Sequence, residues 1–137
     1  MKKACFYGLF IAFTILFLGC SNSFKETNVK DFLIQEIKSI VYTDENKANE
    51  VLNFSQIDEV DNIISNLNLL IPDEDEFTPC LHDKKLIFLD SVGNTIFQIK
   101  FCSEGCCRIY KESGEWIDCE LTEHSRMFIN RLIRMDD

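Results

Sequence analysis

The sequence predicts an α+β domain, a four-stranded antiparallel meander with one helix before it and one after it. Three observations carry this. Between Lys85 and Glu120, four β-rich segments (85–90, 95–102, 106–111 and 115–120) are separated by short loops that each hold one glycine, Gly93, Gly105 and Gly114. Upstream, Ile57, Val60, Ile64 and Leu67 recur at helical spacing with Ile63 beside them. Downstream, Phe128, Leu132 and Met135, with Ile129, form a second apolar stripe.

Taken in chain order, residues 32–42 are β-branched and aromatic enough for a strand, best over Ile37 to Tyr42, with an amphipathic helix over 29–38 as the competitor. Thr43 to Asn49 is polar and reads as a loop. Val51 to Phe54 fits a short returning strand, so one or two strands ahead of the first helix are an open alternative to the bare meander. Ser55 suits the cap of a helix over 56–68, with Asp58 and Glu59 placing negative charge in its first turn. Asn68 to Asp83 is expected to be a loop. Its Asp73-Glu74-Asp75-Glu76 run has clustered carboxylates but neither the spacing nor the turn glycine of an EF-hand, so it is read as a solvated acidic loop. After the meander, Thr122 is placed to cap a helix over 123–134.

The meander carries a cysteine pattern that its hairpin register makes readable. With Glu112-Ser113-Gly114 as a three-residue loop, Tyr110 faces Trp116, Ile109 faces Ile117, Arg108 faces Asp118 and Cys107 faces Cys119. Ser103-Glu104-Gly105, read likewise, sets Cys102 opposite Cys106 and Ile99 opposite Ile109, and leaves Lys100 facing Arg108. Phe97, Ile99, Phe101, Cys107, Ile109, Ile117 and Cys119 then share the buried face. Cys107 to Cys119 is the first expected bridge. The second is Cys102 to Cys106, or Cys80 to one of them, and the five cysteines from Cys80 onward leave an odd thiol. Cys80, His82, Cys102 and Cys106 form the alternative, a soft-metal or thiol site, although no Cys-x-x-Cys spacing is present.

The amino terminus has its own chemistry. Met1-Lys2-Lys3 precedes a run from Ala4 to Leu18 interrupted only by Thr14, a charged region followed by an apolar stretch of signal-peptide length. Such a run is short for a bilayer span, which needs about 20 residues. Phe17-Leu18-Gly19-Cys20 then resembles the lipobox of bacterial lipoproteins, with Phe17 where leucine is usual. The resemblance implies cleavage before Cys20, acylation of that cysteine, and an exported protein held to a membrane, with Ser21 favouring the outer one. Residues 1–19 are thus expected to be a signal peptide, 20–30 a lipidated polar tether, and 31–137 a single domain. From about 50 to 134 the chain also loosely resembles small uncharacterised lipoproteins built from a helix, a meander and a closing helix, which implies no particular activity.

Charge narrows the partners. The net charge of −9 becomes −11 over 118 residues once Lys2 and Lys3 leave with the signal peptide. That balance argues against nucleic acid and against anionic lipid surfaces, both of which call for Lys/Arg patches. No hydrolase, kinase or metalloprotease motif is present, so the chain reads as a binding module rather than an enzyme, with no cofactor expected. Tyr110, Trp116, Arg108 and Asp118, on the sheet face away from the apolar one, are the candidate contact residues for an envelope protein, as in an inhibitor or immunity-type protein. A metal-handling or redox lipoprotein is the alternative. His82 and His124 taken singly read as surface histidines.

Overall fold

The computed structural model describes residues 24–33, 35–47, 51–73 and 80–135. The signal peptide, the lipobox with Cys20, and Glu74 to Glu76 of the acidic run lie outside these. The four expected strands are present as Lys84–Leu89 (β5), Thr95–Phe101 (β6), Cys106–Lys111 (β7) and Trp116–Leu121 (β8). They are only the centre of the sheet. Phe24–Asn28 (β1), Ser39–Asp44 (β2), Val51–Phe54 (β3) and Asn68–Pro72 (β4) extend it to eight antiparallel strands in the order β1-β4-β8-β7-β6-β5-β2-β3. A four-stranded meander is therefore the wrong fold class.

Each missed strand has a physical reason. Asn68 to Pro72 follows a helix directly and has three consecutive apolar residues rather than an alternation, so nothing in it signals period two. It pairs with β8 through Leu69 opposite Leu121 and with β1 through Leu70 opposite Glu26. β1 is polar because it is an edge, and charged residues such as Lys25 and Glu26 suit an edge strand. Part of the expected tether is thereby built into the sheet, and Val29 behind it is fully buried. The helix competing for 29–38 is reduced to a 3-10 turn over Val29–Phe32, capped by the Asn28 side chain accepting from Lys30 N–H at 2.9 Å.

Two helices cover one face of the sheet. Ile57–Asn66 (α1) starts one residue later than expected, with Gln56 rather than Ser55 at its cap and the Glu59 carboxylate accepting from Gln56 N–H. Glu123–Arg134 (α2) is capped by Thr122, whose hydroxyl accepts from Ser125 N–H. Ser125 is fully buried, and its hydroxyl accepts from Asn68 N–H at 2.8 Å and lies 2.9 Å from Asn66 O. That serine joins α2 to the segment linking α1 and β4.

Beneath the helices the strands alternate. Ile40, Tyr42, Leu86, Phe88, Phe97, Ile99, Phe101, Ile109 and Leu69 are buried with Val60 and Ile63 of α1 and Ile129 of α2. Period-two alternation then sends Lys85, Ile87, Gln98, Lys100, Arg108, Tyr110, Trp116 and Asp118 to the opposite face. Among the described residues no element is packed over that face, and its residues are half-buried or exposed. One hairpin is tied to the helical layer: Gly105, at φ +100°, takes a backbone form that side chains rarely adopt, and a Cβ there would stand 2.6 Å from Arg126 Cδ.

Candidate functional site

The open face is organised by its register. Lys85 faces Lys100, Lys100 faces Arg108, and Arg108 faces Asp118, so three cations and one carboxylate cross four neighbouring strands in one row. Like charges directly opposite one another destabilise a sheet. Placing three side by side in a chain of net charge −9 breaks a local rule for folding, as functional surfaces do.

Aromatic rings sit over the next row. The Arg108 guanidinium donates from Nε to Asp118 at 2.7 Å and from a terminal nitrogen to the other carboxylate oxygen at 3.2 Å. Its carbon also lies 4.0 Å from the ring centre of Trp116, while Lys100 Nζ stands 4.9 Å from the ring centre of Tyr110. Both salt-bridged groups are mostly shielded from water, so the pair holds its fork geometry. Trp116 is half exposed. Its indole is therefore braced from one side by the guanidinium and open to a partner on the other.

The cysteines gather at the end of the sheet where β6 turns into β7, on both faces. Cys107 and Cys119 face each other with their Cα atoms 5.1 Å apart, and their disulfide lies on the buried face. Cys80 is bridged to Cys106, Cα to Cα 6.4 Å, on the open face. Cys102 and Cys106 do close the hairpin, Cys102 N–H donating to Cys106 O, yet they are not bonded to each other. Of the alternatives left open for the second bridge, Cys102 to Cys106 is not formed and Cys80 to Cys106 is. Cys102 is left as a buried free thiol, its sulfur 3.2 Å from that of Cys80.

His82 completes this end. Its Nε2 lies 3.9 Å from Cys106 Sγ, and the ligand atoms of Cys80, His82 and Cys106 all fall within 4.8 Å of one another. Of the four residues considered as soft-metal ligands, Cys102 stands outside this trio and touches it through Cys80. Burial, and after it the Arg108 cation, hold the His82 imidazole below its ordinary pKa near 6.5, with Lys100 acting the same way and Asp118 and Asp83 opposing. The lowered value keeps the imidazole neutral at neutral pH. The folded state resists protonating this ring more than the unfolded chain does, so its contribution to stability falls as pH drops from about 6.5 toward the folded midpoint and levels off below it. An NMR titration should place the His82 midpoint below the ordinary histidine value near 6.5, and Arg108→Gln should move it up; a midpoint unaffected by Arg108→Gln would break the link between ring and row.

Sequence reasoning had placed Arg108, Tyr110, Trp116 and Asp118 on one face, and the structure brings them together there. It overlooked Lys85, whose register depends on β5, and the two cation–π contacts, which lie between diagonal rather than facing positions. His82 gave no signal beyond its place two residues after Cys80. A wide groove of about 690 Å³ between the 33–38 segment and α1 belongs to the other side of the molecule and holds no cysteine or histidine. Among the described residues, no helix is long and apolar enough to cross a membrane. Comparison with protein-family models, curated proteins and solved structures finds no match to this chain.

Proposed function

We propose that this protein is a lipid-anchored interaction module of the bacterial cell envelope, which holds an acidic segment of a protein partner against the open face of its sheet. The observation that carries this reading is the Lys85-Lys100-Arg108 row in cross-strand register, flanked by Tyr110 and Trp116 on a face that no described element covers. Arginine, tyrosine and tryptophan are the side chains that dominate binding energy at protein interfaces. A cationic stripe on an otherwise acidic molecule selects partners by charge. The protein acts by contact, as inhibitors and immunity-type proteins do.

The lipobox resemblance supplies the address, with Cys20 as the acylated residue and Ser21 favouring the outer membrane. Only three residues separate Cys20 from β1, a reach of about 14 Å at full extension, so the edge of the sheet would sit close to the bilayer. Placing a photo-crosslinking amino acid at position 116 in the producing cell, with position 127 on the exposed side of α2 as control, tests the proposal. A discrete adduct from 116 and none from 127 is expected. No adduct from 116, or equal labelling from both, would remove the open face as the contact surface.

A second reading, handling of zinc or copper(I), is favoured by one observation, the convergence of Cys80, His82 and Cys106. It requires both cysteines reduced. Protein taken from the envelope with at least three domain thiols and stoichiometric metal would establish it, and one free thiol without metal would end it.

A further inference from the structure

The cysteine end presents a free thiol against a disulfide, and that juxtaposition goes beyond partner binding. We propose that Cys102, Cys80 and Cys106 form an intramolecular thiol–disulfide exchange site, which moves the single free thiol of the domain between the interior and the open face. Cys102 Sγ lies 3.2 Å from Cys80 Sγ, in contact with the sulfur it would attack. Cys80 is already bonded to Cys106, and Cys106 Sγ faces His82 Nε2 at 3.9 Å.

The exchange is redox-neutral and needs no outside reagent. Cys102 gives up its proton to solvent, and its thiolate attacks Cys80 Sγ. The Cys80–Cys106 bond breaks, its electron pair passes to Cys106 Sγ, and a proton restores a thiol there. One thiol and one disulfide exist before and after. Such exchange is faster when the leaving sulfur is well stabilised as a thiolate. A cation stands near Cys106, since Arg108 lies two residues along the same strand face, and His82 Nε2 lies 3.9 Å from its sulfur.

The two isomers differ in where the thiol stands. With Cys80–Cys106 closed, the free sulfur belongs to Cys102, which is 6 % exposed and shut in at the end of β6. With Cys80–Cys102 closed, it belongs to Cys106, on the open face one position along β7 from the row that begins at Lys85 and includes Arg108. The Cys107–Cys119 bridge lies on the buried face and takes no part.

The test uses the full-length protein, extracted in detergent without reductant and treated with N-ethylmaleimide while folded. Digestion and mass mapping then assign each label and each bridge. Label on Cys106, paired with a Cys80–Cys102 bridge and exceeding label on Cys102 by about tenfold or more, is the expected result. Cys102→Ser should abolish that label while the fold persists. Cys106→Ser gives an independent reading, since Cys80 and Cys102 should then bridge on oxidation of the folded protein. Label confined to Cys102, a folded protein that stays unlabelled until denatured, or a Cys106→Ser variant that keeps both thiols under oxidation would each overturn the proposal. Stoichiometric zinc with all three thiols free would overturn it in favour of the metal reading.

Discussion

Phe88→Ala is expected to destabilise the domain by about 3–5 kcal/mol, the range for truncating a fully buried phenylalanine. The ring is completely enclosed, packs edge-on against Phe97 at 5.4 Å between centroids, and faces Ile40 across the β2–β5 pairing. It thus joins the β2–β3 hairpin to the central strands. The register shift between Phe88 and Leu89 makes this the point where the sheet bends, so neighbouring side chains have little freedom to collapse into the void. Urea denaturation of the variant should show a lower midpoint with an unchanged slope. A loss below about 1 kcal/mol would mean that the hairpin is not packed on the sheet as described.

The Cys107→Ala/Cys119→Ala double variant is expected to lose about 3 kcal/mol. The bridge closes a loop of sequence separation 12, and releasing it restores conformational freedom to the unfolded chain. Both residues are buried, so removing their sulfurs also strips contacts from the core. For a domain of this size the loss corresponds to a drop of roughly ten degrees in melting temperature. Melting the wild-type protein with and without reductant provides the comparison. A double variant as stable as the wild type would show that neither the bridge nor the packing of the two sulfurs contributes to stability.

These two sites mark where the sequence was legible. The β7–β8 register could be read from side chains alone, because opposite charges, aromatics, aliphatics and cysteines all matched at one loop length, and Cys107 with Cys119 followed from it. The same reasoning placed Arg108, Tyr110, Trp116 and Asp118 on one face. Beyond the meander it offered β2 and β3 only as open alternatives and missed β1 and β4, because these strands announce themselves poorly. β1 is polar at an edge, β3 has four residues, and β4 is a brief apolar run ending in Pro72. Their pairings join residues up to 52 positions apart, Leu69 with Leu121 for instance, and no local pattern encodes such contacts.

The second bridge shows the same limit. Cys80 is brought to the open face by a segment whose path depends on tertiary packing, so its partner could not be chosen among Cys102 and Cys106 from spacing. Once β5 is in place, Lys85 completes the cationic row, and Cys80 and His82 meet Cys106 at one end of that face. The distinctive chemistry of this molecule therefore arises where a readable hairpin meets a strand whose register was not read.

Trp116 is the only tryptophan in the chain, and it lies within the proposed contact surface. Titrating the protein with the partner identified by crosslinking, while following its emission, therefore tests the central claim most directly. The account predicts a change in emission that saturates with binding, an affinity that falls as salt is raised, and loss of binding in Lys85→Glu/Lys100→Glu with the fold intact. Binding that leaves Trp116 emission unchanged, or that is indifferent to both salt and charge reversal, would contradict it.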